Sequence, residues 1–102
     1  MLLMNNTKNL LNRIKEITLA DLEKNHSVDL LFQNTVEELG EYAAARIVEQ
    51  GIKTKELREH SWAEAIDLTI CALSLYFASG GSLETLCEVG NRKLDKWEAR
   101  VK

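Results

Sequence analysis

Apolar residues recur at helical spacing along most of the chain. Leu10, Leu11, Ile14, Ile17 and Leu22 form an i, i+3/i+4 stripe that predicts a first helix from about Thr7 to Lys24, with Thr18 as its one interruption. Asn25, His26 and Ser27 read as a turn, with Ser27 able to cap a second helix and Asp29 placed to complement its dipole. That helix carries Val28, Leu31, Phe32, Thr35, Leu39, Tyr42 and Arg46 along one stripe and stops at Gly51. Residues 53–60 read as a polar connection or a short helix. Ser61 opens a third helix that Gly80 and Gly81 close, and Ser82 caps a fourth that runs nearly to Lys102. The chain has no proline and five glycines, so few breakers interrupt these segments. The expected architecture is all-α: about four helices forming a bundle, in a single domain over residues 1–102.

The third helix has an unusual wheel. Leu68, Cys71 and Leu75 share one side with Glu64, while Ile66, Ile70, Leu73 and Phe77 occupy the other. A helix apolar all round is expected to be buried on both sides. A chain of 102 residues has little core to offer it, which predicts that the bundle is completed by association as a homodimer or homotetramer.

Composition narrows the function. With 13 basic and 16 acidic residues the net charge is −3, which argues against a dedicated binder of nucleic-acid polymers. The least charged stretch, Ala65 to Glu84, is interrupted by Asp67, two serines and two glycines, and reads as no membrane span. Met1-Leu-Leu-Met is followed at once by Asn5-Asn6, which is no secretory leader. Cys71 and Cys87 form no C-x-x-C pair, and two buried thiols in a cytoplasmic protein are expected.

The informative residues are acidic. Glu37, Glu38 and Glu41 project from one side of the second helix, with Glu37 and Glu41 about 40° apart. Like charges at this spacing destabilise a helix by roughly 0.2–0.5 kcal/mol per pair, so something must offset them. On this helix alone, solvation and pairing with Arg46 or lysines suffice. From Trp62 to Ala78, however, the only acids are Glu64 and Asp67 and there is no base at all. Both share a stripe with leucines, where an unpaired carboxylate is expensive; buried charges are normally paired or coordinate a metal. Ser61-Trp-Ala-Glu64 also fits a capping box, in which Glu64 reaches back to the Ser61 amide. That local role leaves Asp67, one turn further in, without a partner.

Taken together the acids read E37-E-x-x-E41, 22 residues, then E64-x-x-D67. In this pattern, carried by Val36-Glu-Glu-Leu-Gly-Glu-Tyr-Ala-Ala-Ala and Glu64-Ala-Ile-Asp67-Leu, the chain resembles the MazG-like, all-α nucleoside triphosphate pyrophosphohydrolases. The resemblance runs from about Leu31 to Lys102, since Asn91-Arg-Lys-Leu-Asp-Lys-Trp97 looks like that family's basic C-terminal helix. It implies hydrolysis of a nucleoside triphosphate to monophosphate and pyrophosphate, with nucleotide-pool cleansing as the physiological class. It further implies Glu38, Glu41, Glu64 and Asp67 as ligands of Mg²⁺, or of Mn²⁺ in its place, with Glu37 as a further ligand or the base that orients water. Lys93, Arg92 and Asn91 would meet the phosphates. The chemistry is coherent, because a triphosphate and five carboxylates repel unless divalent cations lie between them.

Other constellations are weaker. Glu23-x-x-His26 has half of a di-iron spacing and no second half. No nucleophile elbow, phosphate-cradling glycine loop or zinc pattern is present. Trp62 and Trp97 are expected in the core or an interface rather than stacked on a base. The alternative reading is a non-catalytic helical module that binds a nucleotide or a protein partner.

Overall fold

The structure is a computed structural model that describes residues 2–24, 27–51 and 59–102. It is all-α, with α1 (Leu2–Glu23), α2 (Val28–Glu49), α3 (Ser61–Ala78) and α4 (Leu83–Val101). The punctuation follows the sequence closely. Ser27 Oγ accepts the Leu30 amide at 3.1 Å and Ser82 Oγ accepts the Thr85 amide at 3.1 Å, each satisfying an otherwise unpaired N–H of the first turn. Gly51 ends α2 with φ 76° and Gly80 ends α3 with φ 96°, backbone that a side chain would strain.

Several sequence expectations need correction. α1 begins at Leu2 rather than near Thr7: Asn5 and Asn6 are poor helix formers, but neither breaks a helix as Gly or Pro would. Thr18 does not interrupt it. The hydroxyl donates back to Ile14 O at 2.7 Å and lies 2.7 Å from Ser74 Oγ of α3, which makes a polar clip between two helices. Asn25, His26 and residues 52–58 lie outside the described residues, so the first turn is tested only at Ser27 and the long connection only at its ends.

α3 is the centre of the arrangement, with α2 packed along it and α1 against another side. α2 and α3 are antiparallel: Glu49 at the end of α2 reaches Ser61 at the start of α3, and Glu38 meets Glu64 and Asp67 further along. Among the described residues the buried ones are Ile14, Thr18, Leu31, Ala45, Glu64 and Phe77, a small core. α3 is therefore not buried on both sides as its wheel predicts, because Trp62, Ile66 and Ile70 stand open. The stripe read on α2 is also divided. Leu31 is buried, but Val28, Phe32 and Leu39 face outward.

α4 stands apart. A Schellman turn closes α3, with Gly80 N donating to Phe77 O at 3.0 Å and Gly81 N to Tyr76 O at 3.2 Å. Tyr76 donates its hydroxyl to Ser82 O at 2.7 Å, and a Cβ on Gly81 would overlap the Tyr76 ring. This braced turn sends α4 off at 118° to α3. Among the described residues α4 has only slight contact with α1–α3. The radius of gyration is 16.1 Å, where a compact chain of this length has about 13 Å. Among the described residues no single helix is long and apolar enough to cross a membrane.

Candidate metal centre

Three of the acids converge. One carboxylate oxygen each from Glu38, Glu64 and Asp67 lie within 4.8 Å of one another, in the seam between α2 and α3. The helical geometry explains the meeting. Glu64 and Asp67 are one turn apart on α3, and Glu38 lies on the same side of α2 as the buried Leu31 and Ala45. Packing those two apolar positions against α3 thus carries Glu38 inward with them.

The capping box expected at Ser61 does not form. His60 is the N-cap residue, in extended conformation and with no side-chain cap bond. The Ser61 amide instead donates to Glu49 Oε2 at 2.8 Å, a carboxylate supplied by the C-terminal end of α2. His60 Nδ1 lies 3.8 Å from the same oxygen. Glu64 is thereby released from any capping role. It is 7% exposed, and its Oε2, like Glu38 Oε2, is buried with no hydrogen-bond partner among the described residues.

Two orphaned carboxylate oxygens side by side are costly, since each has lost water and gained no donor. The electrostatics record this. Desolvation, then the charges of Glu41, Asp67 and Glu64, push the Glu38 carboxyl above the ordinary carboxylate value of 4.5. Glu64 is raised in the same way, by desolvation first and then by Glu41, Glu59 and Asp67. Cys71, one turn beyond Asp67, has its thiol pushed up by burial and by the charges of Glu38 and Asp67. A divalent cation supplies what the cluster lacks, positive charge and an electron-pair acceptor for the orphaned oxygens. The donor set is all oxygen from carboxylates, which suits a hard cation.

The remaining sequence candidates fall at different distances from this centre. Glu41 is exposed, yet it interacts with both Glu38 and Glu64, placing it at the rim. Glu37 is exposed on the neighbouring turn of α2. Asn91, Arg92 and Lys93 are exposed on α4, and no ion pair joins either base to these acids among the described residues. The brace from Glu49 escaped the sequence reading because it joins residues twelve apart across a chain reversal, which no local motif records. Of the two cysteines, Cys71 is half-buried but Cys87 is exposed, contrary to the burial expected of both. Trp62 and Trp97 are 67% and 59% exposed, so neither belongs to the core of the single chain. Compared with models of known protein families, with curated proteins and with solved structures, the chain matches none.

Proposed function

We propose that this protein is a Mg²⁺-dependent nucleoside triphosphate pyrophosphohydrolase, acting on ribo- or deoxynucleotides in the manner of the MazG-like enzymes that its acidic pattern resembles. The observation that carries the reading is the pair of orphaned, buried oxygens on Glu38 and Glu64 beside Asp67. Carboxylates held together at this cost to the fold support the reading of a site kept for a cation rather than for stability. In this reading Glu38, Glu64 and Asp67 hold the metal from opposite helices, and Glu41 completes its ligands from the rim. A divalent cation held there would supply positive charge to the phosphates and make water easier to deprotonate. Glu37, one turn from Glu41 and open to solvent, orients the attacking water and takes its proton. Water attacks the α-phosphorus, the α–β bridge breaks, and monophosphate and pyrophosphate leave. Lys93, Arg92 and Asn91 meet the phosphates only if α4, or the α4 of another copy, approaches the α2–α3 seam. The functional unit in this reading is a homodimer or homotetramer working on cytoplasmic nucleotides, with nucleotide-pool cleansing as its role.

The test is product analysis on a panel of nucleoside triphosphates, with magnesium and with chelator, resolving pyrophosphate from orthophosphate. Magnesium-dependent monophosphate and pyrophosphate, lost in Glu64→Gln, is the expected result. Orthophosphate and diphosphate would refute the position of cleavage. Magnesium binding by calorimetry without turnover of any triphosphate would move the assignment to the non-catalytic binding module, and absence of both would remove the metal site.

A further inference from the structure

Two arrangements compete for the Glu64 side chain. Ser61-Trp-Ala-Glu64 has the spacing in which the glutamate turns back onto the Ser61 amide, so that the helix starts one residue later with Ser61 as its cap. There the carboxylate gains a donor. In the acidic cluster its Oε2 has none among the described residues, and lies buried with Glu38 and Asp67 close by. By local energetics alone, a metal-free Glu64 is better placed as a cap than in the cluster. The structure nevertheless has it in the cluster.

The difference is supplied by the end of α2. Glu49 Oε2 accepts the Ser61 amide at 2.8 Å, and its other oxygen lies 3.5 Å from Arg46 Nη1, one turn back on the same helix. His60 Nδ1 stands 3.8 Å from Oε2. Hydrogen bonds from Ser61 hold the Glu49 carboxyl below its ordinary 4.5, so it meets the amide as a carboxylate at neutral pH. Its charge complements the start of α3, where His60 offers no side-chain cap bond of its own. A residue has one backbone N–H, so Glu49 and Glu64 exclude one another at Ser61.

We infer that Glu49 is a positioning residue for the metal centre: by occupying the Ser61 amide it denies Glu64 its cap and keeps that carboxylate turned to Glu38 and Asp67. The inference rests on the metal-binding reading of the cluster, and it adds a residue outside the cluster that sets its affinity. Groups that hold metal ligands in place typically cost about 10–100-fold in affinity when they are lost. Glu49 acts here without touching the cation, through the one donor for which Glu64 would otherwise leave.

Two measurements on the full chain test it, with circular dichroism to check that each variant keeps its helices. In the metal-free protein, hydrogen exchange at the Ser61 amide reads which acid holds it. Slowed exchange is expected in the native chain, in Glu64→Ala, where Glu49 keeps the amide, and in Glu49→Ala, where Glu64 takes it over. The slowing is lost only when both acids are replaced. Fast exchange in Glu49→Ala would show that Glu64 does not reach the amide, and overturns the inference. Magnesium binding by calorimetry is expected to weaken about tenfold or more in Glu49→Ala. Ser61→Pro breaks the same hydrogen bond from the other side, yet should bind as the native chain does, because no amide remains to draw Glu64 away. Proline suits the first position of a helix, and His60 before it already has φ −69° and ψ 156°, as a residue preceding proline requires. For the same reason Glu49→Ala/Ser61→Pro should regain native affinity. If Glu49 acted through its charge, or merely by tying α2 to α3, the loss would persist in that double variant, and the inference fails. A native chain that binds no magnesium would sink the metal reading and with it the role in affinity, while the exchange pattern separately decides the competition.

Discussion

The clip between Thr18 and Ser74 allows a quantitative prediction about what holds α1 in place. Thr18 is 3% exposed, and its single hydroxyl proton goes to Ile14 O, so Ser74 must donate to the Thr18 oxygen across the helix interface. Ser74→Ala removes that one bond and leaves Thr18 still donating, at a cost of about 1 kcal/mol. Thr18→Val keeps the shape but removes both bonds and strands the Ser74 hydroxyl, costing about 1–2 kcal/mol. The double variant strands nothing, because both partners are then apolar. It should be less destabilised than the sum of the singles by about 1 kcal/mol. For a domain of this size that coupling corresponds to roughly 4–8 °C in Tm. Urea denaturation of the four proteins, at one fixed protein concentration because association shifts apparent stability, measures it. If the double variant equals the sum of the singles to within about 0.3 kcal/mol, the two hydroxyls do not act as a pair and the account fails.

Two further predictions concern the acids and the turn. The raised carboxyls of Glu38 and Glu64 keep their protons in the folded chain above 4.5, where the unfolded chain has released them. Their contribution to stability is therefore full at and below 4.5 and is lost as pH rises through the raised values. Melting temperature without metal should fall from pH 4.5 towards neutrality, and saturating magnesium should abolish or reverse the fall. A metal-free profile that rises over this window would refute the clustering. Glu49, held low by the Ser61 amide, acts only below 4.5 and so does not confuse the measurement. Gly81→Ala would push a methyl group into the Tyr76 ring and should cost about 1–3 kcal/mol in thermal unfolding; an unchanged melting curve would show that the turn gives way freely.

Local chemistry was readable wherever it depended on neighbours in sequence. Ser27, Ser82, Gly51 and Gly80 act at their expected ends because capping and positive φ are decided within one turn. Glu64 and Asp67 stood out because two acids without a base in an apolar helix conflict with burial, and the structure brings them to Glu38. Relations between distant segments were not readable. The pattern at Ser61 predicts a capping box, but Glu49 arrives from the preceding helix and takes the amide first. Apolar residues on both sides of α3 are visible in the sequence, but which side is covered depends on where α1 packs and where the Tyr76 brace sends α4. Ile66 and Leu39 were thus legible as apolar and not as exposed.

The two tryptophans have a spectroscopic consequence. The chain has only two, one on α3 and one on α4, and both indoles stand mostly in water. Intrinsic fluorescence of the isolated chain should therefore emit at the long wavelength of hydrated indole. Any event that covers either helix shifts it to the blue without a label. Trp62 lies on the opposite side of α3 from Glu64, so a cation entering the acidic cluster leaves that signal nearly still. One cuvette thus separates assembly from metal binding.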